Sequence, residues 1–169
     1  LHVHATELDR TGGHKVNQHV YDLERHGMHK ADKIIAVSNF TKNKIMAHYN
    51  IPSEKIRVVH NAVDFSQYYY DENFELKKTG KVVLFLGRVT LQKGPDYFVY
   101  AAKKVLEHEK NVRFIIAGSG DMEPFIIEKA AELGIADKVL FAGFLSQEDV
   151  ERAYKMADVY VMPSVSEPF

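Results

Sequence analysis

Short, uninterrupted apolar runs alternate with stretches in which apolar residues return every three or four positions, almost from one end of the chain to the other. That alternation predicts repeated βα units built around parallel sheets. The runs at 1–4, 34–37, 56–59, 82–86, 113–117, 139–142 and 159–162 read as strands, and their continuous hydrophobicity predicts burial on both faces. Between them, Phe98, Ala101, Ala102, Val105 and Leu106 recur at i, i+3, i+4, i+7 and i+8, one apolar face of a helix that opens with Pro95 in its first turn. Ser146 is placed to cap a helix carrying Val150, Ala153, Tyr154 and Ala157. Val16, Val20 and Leu23 mark an earlier helix, another follows Ser38 as far as Tyr49, and a further one starts near Met122.

One stretch, 61–80, breaks the pattern with a Tyr68-Tyr69-Tyr70 cluster, mixed charges and no clean period. It reads as a connection between two parts, residues 1 to about 62 and about 80 to 169. The first part has too few strands to close a core alone. The second, with four strands and three helices, amounts to about half of a doubly wound nucleotide-binding fold.

Composition narrows the chemistry. With 46% hydrophobic and 27% charged residues the chain is globular rather than disordered or collagenous. Twenty-two basic against twenty-three acidic residues give a net charge of -1, which leaves no electrostatic footprint for nucleic acid. The absence of cysteine excludes disulfides, thiolate metal sites and a cysteine nucleophile, and permits a reducing compartment. No apolar run approaches the roughly 18 residues of a membrane span. A cytoplasmic location is expected, with peripheral membrane contact left open. The start at Leu1 and the stop at Phe169, directly after Ser166-Glu167-Pro168, read as cuts through a longer protein.

The most informative segment is 86–95, Leu-Gly-Arg-Val-Thr-Leu-Gln-Lys-Gly-Pro, between a buried strand and a helix. In an open parallel sheet ligands bind at this carboxyl edge. Gly87 and Gly94 let backbone approach a ligand, the helix start offers unpaired N–H groups, and Arg88 and Lys93 add two cations, a combination suited to a diphosphate. A charged, glycine-containing βα loop with no ligand is the plainer alternative. The second glycine loop, Gly118-Ser119-Gly120-Asp121, lacks the third glycine of a dinucleotide fingerprint; it reads as a tight turn or as a second ligand contact. Glu167, bracketed by Pro163 and Pro168, could accept hydrogen bonds from sugar hydroxyls, or be merely solvated. Six histidines crowd the first thirty residues, His2, His4, His14, His19, His26 and His29, without metalloprotease spacing. No metal site is expected. His4, at a strand end, is the better candidate for facing a substrate.

In their order, His4-Ala5-Thr6-Glu7, Ile35-Ala36-Val37-Ser38, Val58-Val59-His60-Asn61-Ala62-Val63-Asp64, Gly87-Arg88 with Lys93-Gly94, Ala117-Gly118-Ser119-Gly120, Phe141-Ala142-Gly143 and Pro163-Ser164 through Glu167-Pro168-Phe169 resemble the retaining family 4 glycosyltransferases. These are GT-B enzymes that include glycogen, sucrose and mannosyl transferases. The resemblance implies an α/β fold of GT-B type, two Rossmann-like domains with parallel sheets, only partly covered by this chain. On it, 1–62 is the C-terminal part of the acceptor domain, 63–79 the linker, and 80–169 the N-terminal part of the nucleotide-sugar-binding domain.

The same resemblance implies transfer of a hexosyl group from a nucleotide diphosphate sugar, such as UDP-glucose, to a sugar or glycan acceptor with retention at the anomeric carbon. Catalytic roles fall on Arg88, Lys93, Glu167 and His4, and donor binding on Gly87, Arg88, Lys93, Gly118, Ser119 and Glu167. Arg88 and Lys93 match the pair that holds the diphosphate, so neither metal nor cofactor is implied. His4 matches the histidine reaching toward the donor sugar, and Glu167 the first acid of a paired-glutamate motif. The second glutamate lies beyond Phe169, the upstream glycine-rich loop is absent, and Asn61-Ala62 replaces Asn-Gly. The parent is therefore expected to be an enzyme and the 169-residue chain alone to be inactive. The alternatives are a nucleotide-sugar-binding module without catalysis and, requiring an acid/base set not found here, a nucleotide-sugar epimerase.

Overall fold

The computed structural model describes residues 1–13, 15–63 and 80–169. The connection expected at 63–79, Val63 apart, and the tyrosine cluster within it lie outside the described residues. By internal contacts the chain divides into two units: Leu1–Val63 together with Ser166–Phe169, and Asp64–Val165. The expected second part ran on to Phe169, whereas the last four residues pack with the first unit.

In the first unit, β1 (His2–Val3), β2 (Ile34–Ala36) and β3 (Ile56–Val58) form a parallel sheet in the order β1-β2-β3. Three helices accompany it: α1 (Glu7–Arg10), α2 (Gln18–Lys30) and α3 (Asn39–Tyr49). The Asn17 side chain caps α2 by accepting from the amides of His19 and Val20, and Ser38 caps α3 by accepting from Thr41 N at 3.0 Å. These bonds satisfy helix-end donors that would otherwise lack partners. Val3, Met28, Ile34, Ala36, Ile45, Tyr49, Ile51 and Ile56 make one core.

The helix marked by Val16, Val20 and Leu23 is present as α2, with Val16 before its start, but its packed face differs from that stripe. Leu23 is 59% exposed, and α2 packs instead through Tyr21 and Met28. The inward stripe of α2 also carries the half-buried Glu24, which accepts from Tyr49 Oη at 2.6 Å and from Glu7 N at 3.0 Å. A polar residue on the packed face blurs the apolar period that would have announced it. The short helix α1 was not anticipated at all; the Asp9 carboxylate reaches back to Thr6 N at 2.8 Å and holds its first turn.

In the second unit, β4 (Lys81–Leu86), β5 (Val112–Ala117), β6 (Val139–Gly143) and β7 (Val159–Tyr160) form an all-parallel sheet in the order β6-β5-β4-β7. Its helices are α4 (Pro95–His108), α5 (Glu123–Glu132) and α6 (Gln147–Met156). All seven strands thus lie within one or two residues of their expected bounds. One face of the second sheet packs Phe85, Phe114 and Ile116 against Phe98, Val99, Ala102, Leu106 and Ile126. The Phe98 ring meets Phe85 and Phe114 at 5.6 and 5.8 Å between centroids, an edge-on geometry for the latter. The opposite face packs Val82, Leu84, Ile115 and Ala117 against Ala153 of α6. Both faces of β4 and β5 are buried, which accounts for their unbroken hydrophobicity. At β7, at Leu140 of β6 and, in the runs of the first unit, at Leu1, Ile35 and Val59 that expectation does not hold, because these positions stay exposed.

Candidate functional site

The chain steps from β4 to β5 to β6 in one direction, then crosses to the other side of β4 to form β7. That reversal makes the β4/β7 border a topological switch point, and the crevice at the carboxyl ends of such strands is where open α/β sheets bind ligands. The loop leaving β4 meets the loop leaving β7 there. Val165 N donates to Gln92 O at 2.9 Å, and a Cβ on Gly94 would collide with the Pro163 carbonyl. Gly94 is in the left-handed region at φ 62°, where it ends the turn Leu91–Lys93 and precedes Pro95 at the start of α4. As N-cap it offers no side-chain acceptor to the first amides of α4.

The loop after β4 also packs on the loop after β5. Gly87 N donates to Ala117 O at 2.9 Å, Val89 N to Ser119 O at 3.0 Å, and Met122 N to Val89 O at 3.0 Å. Gly118, at φ 127°, and Gly120 are required by this approach, since Cβ atoms there would strike the carbonyls of Gly87 and Val89. The glycines of 118–121 thus serve close backbone approach, while the turn falls at 121–122 and no side chain caps the helix that follows. Gly87 differs: the space where its Cβ would stand is empty.

Gly87 also lines a cavity of about 440 Å³ together with Arg88, Gly118, Ser119, Phe144 and Val150. Its size suits a small-molecule ligand. The exposed Arg88 donates to Gln92 Oε1 at 3.1 Å, and Gln92, itself buried, is fixed through its carbonyl to the loop after β7. Gly87, Arg88, Gly118 and Ser119 are thus brought together, and Lys93 sits in the turn that follows Arg88, outside the cavity wall. Phe144, 86% exposed directly after β6, was missed in the sequence; an aromatic ring held out at a strand's carboxyl end is the signal that could have found it.

The first unit carries the other two candidates. His4 is exposed beyond β1, its ring 4.1 Å from that of His2, on the wall of an open cavity of about 400 Å³ shared with Arg10 and Glu24. Glu167 lies in the segment Ser166–Phe169, which is tied down on either side: Ser166 Oγ donates to Asp9 Oδ1 at 3.1 Å, and the Pro168 carbonyl accepts from Thr41 Oγ1 at 2.6 Å and from Ser38 Oγ. Asp9 is fully buried, which raises its carboxyl pKa, but the Lys44 ammonium and the Thr6 donors outweigh burial and leave it below the ordinary aspartate value. Burial, together with the neighbouring Glu24 carboxylate, pushes the Tyr49 phenol well above its usual range, so it serves as a hydrogen-bond donor. Among the described residues no three His, Cys, Asp or Glu side chains gather as metal ligands, and no helix is long and apolar enough to cross a membrane.

Residues 69–169 match the family described as Glycosyl transferases group 1, and residues 1–67 match Glycosyltransferase Family 4. An uncharacterized glycosyltransferase of Methanocaldococcus jannaschii is 32% identical over 99% of this chain and 46% of its own length. The chain spans less than half the length of such curated relatives. In fold it is similar to sucrose-phosphate synthase from Thermosynechococcus elongatus, with a TM-score of 0.82 at 19% identity over 99% of this chain and 45% of that one. It is also similar to Anabaena HepE, solved in complex with UDP and glucose, with a TM-score of 0.77 at 17% identity over 96% of this chain and 45% of that one. Both likenesses, with the parallel sheets of the two units, give the GT-B fold class. Since the group 1 match alone takes in more than half of the residues, the chain belongs to the group 1 family of glycosyl transferases.

Proposed function

We propose that the protein transfers a hexosyl group from a nucleotide diphosphate sugar to a sugar or glycan acceptor with retention of anomeric configuration. The observation that carries this reading is the cavity at the carboxyl edge of β4 and β5, where Gly87, Arg88, Gly118 and Ser119 converge on space open for a ligand. Its apolar wall and the exposed Phe144 ring suit a nucleobase. Arg88 and Lys93 then meet the diphosphate and stabilise the charge it acquires as the bond between the anomeric carbon and its phosphate oxygen breaks, without need of a divalent metal. Glu167 accepts hydroxyls of the transferred sugar, and His4 faces the same sugar. UDP is the first nucleotide to test, because HepE was solved with it.

Titration of UDP, GDP and ADP into the wild-type protein and into an Arg88→Ala, Lys93→Ala double variant tests the reading. One nucleotide is expected to bind, with an affinity loss in the double variant of about a hundredfold or more, since two charge-assisted contacts disappear. Equal affinity in both proteins would refute it. A panel of sugar donors, with product configuration read by NMR, then separates an enzyme from a binding module: donor binding without transfer would identify the module.

A further inference from the structure

Glu167 sits between two residues that are both anchored by side chains of the first unit. Thr41 is fully buried, and its hydroxyl donates to the Pro168 carbonyl at 2.6 Å. Ser38 shares that carbonyl while also accepting from Thr41 N at 3.0 Å, so the helix cap and the anchor are one arrangement. On the other side of Glu167, Ser166 Oγ donates to Asp9 Oδ1 at 3.1 Å. The second Asp9 oxygen is occupied by Thr6 N and Thr6 Oγ1, each at 2.8 Å, and Lys44 closes the set. The Phe169 ring lies 6.1 Å from that of His60, whose Nδ1 is 3.1 Å from Val37 O. A buried hydroxyl or carboxylate without its partner is costly, so each anchor is held to a single geometry.

We propose that Asp9, Ser38 and Thr41 are positioning residues for Glu167: they fix the backbone on both sides of it and so aim its carboxylate at the sugar of the donor. This rests on the proposed role of Glu167 in sugar binding. The segment is docked on the first unit even though the arginine and lysine assigned to the diphosphate belong to the second. Binding of the nucleotide and aiming of the sugar are accordingly assigned to separate sets of residues.

Thr41→Val in the full-length protein removes the hydroxyl and keeps the side-chain shape, Ser166→Ala removes the other anchor, and Thr41→Ser restores a donor. Amide hydrogen exchange is expected to accelerate at 165–169 in the first two variants, with the amides of 87–94 unchanged. With whichever of UDP-, GDP- and ADP-glucose supports turnover, kcat is expected to fall about tenfold, the worth of one well-aligned hydrogen bond, while the Kd of the nucleotide diphosphate alone stays as in wild type. Thr41→Ser should recover most of the loss. Unchanged exchange at 165–169 would overturn the docking, and faster exchange with unaltered kcat would overturn the positioning role. A wild-type protein that transfers no sugar from any of these donors would overturn the role together with the function on which it rests, and the exchange data would still report the docking separately.

Discussion

A methyl group added at Gly87 would enter open space, whereas one at Gly118 would meet the Gly87 carbonyl oxygen on a backbone already at φ 127°. The two glycines are adjacent in the structure and serve different ends. Gly87→Ala is expected to leave stability within about 0.5 kcal/mol of wild type, because the backbone there is unstrained. It should lower nucleotide affinity by about tenfold or more, because the methyl group occupies ligand space. Gly118→Ala is expected to cost about 2 kcal/mol or more, from strain and collision together. Thermal melts and nucleotide titration of both variants check the contrast; a Gly87→Ala protein that binds nucleotide normally would remove Gly87 from the site. The sequence marks both positions as glycine after a strand and cannot tell them apart, because the difference is the presence or absence of a third atom arriving from elsewhere in the chain.

At the scale of the element, what is legible follows from locality. Pro95 opens α4 and Ser146 caps α6 as the sequence predicts, because a helix start is decided by neighbours within a turn. Ser146 Oγ accepts from Asp149 N at 3.2 Å and donates to Asp149 Oδ2 at 2.7 Å. Removing this cap by Ser146→Ala should lower the stability of the second unit by about 1 kcal/mol, and Ser146→Asn should restore most of it, as measured by urea unfolding. Nucleotide affinity should weaken alongside, since α6 supplies Val150 to the cavity wall. Neither α1 nor the packed face of α2 could be read this way. Their inward residues Glu7, Asp9 and Glu24 are acidic, and they are tolerated inside because Arg10, Asn17 N, Lys44 and Tyr49 arrive from other positions to meet them.

For the molecule as a whole, the buried Asp9 is expected to make the first unit sensitive to acid. Its pKa is depressed in the folded state, so its contribution to stability is complete above the unfolded aspartate value of about 3.9 and is lost as pH falls through the lower folded value. Acid unfolding of wild type is expected to steepen below about pH 4, and Asp9→Asn should flatten that dependence while lowering stability at neutral pH, because Lys44 loses its charged partner. Circular dichroism between neutral pH and pH 2 would decide it; identical pH profiles for the two proteins would show that Asp9 carries no folded-state shift. Strand positions, the starts of α3 to α6 and the loop carrying Arg88 and Lys93 were determined by the sequence itself, since apolar period, Pro, Ser and Gly act over a few residues. The order β6-β5-β4-β7, the apolar cavity completed by Phe144 and Val150, and the docking of Ser166–Phe169 on Asp9, Ser38 and Thr41 were decided only by the tertiary structure. The physical reason is separation along the chain: Thr41 and Pro168 lie 127 residues apart, and no local pattern records which distant carbonyl will satisfy a buried hydroxyl.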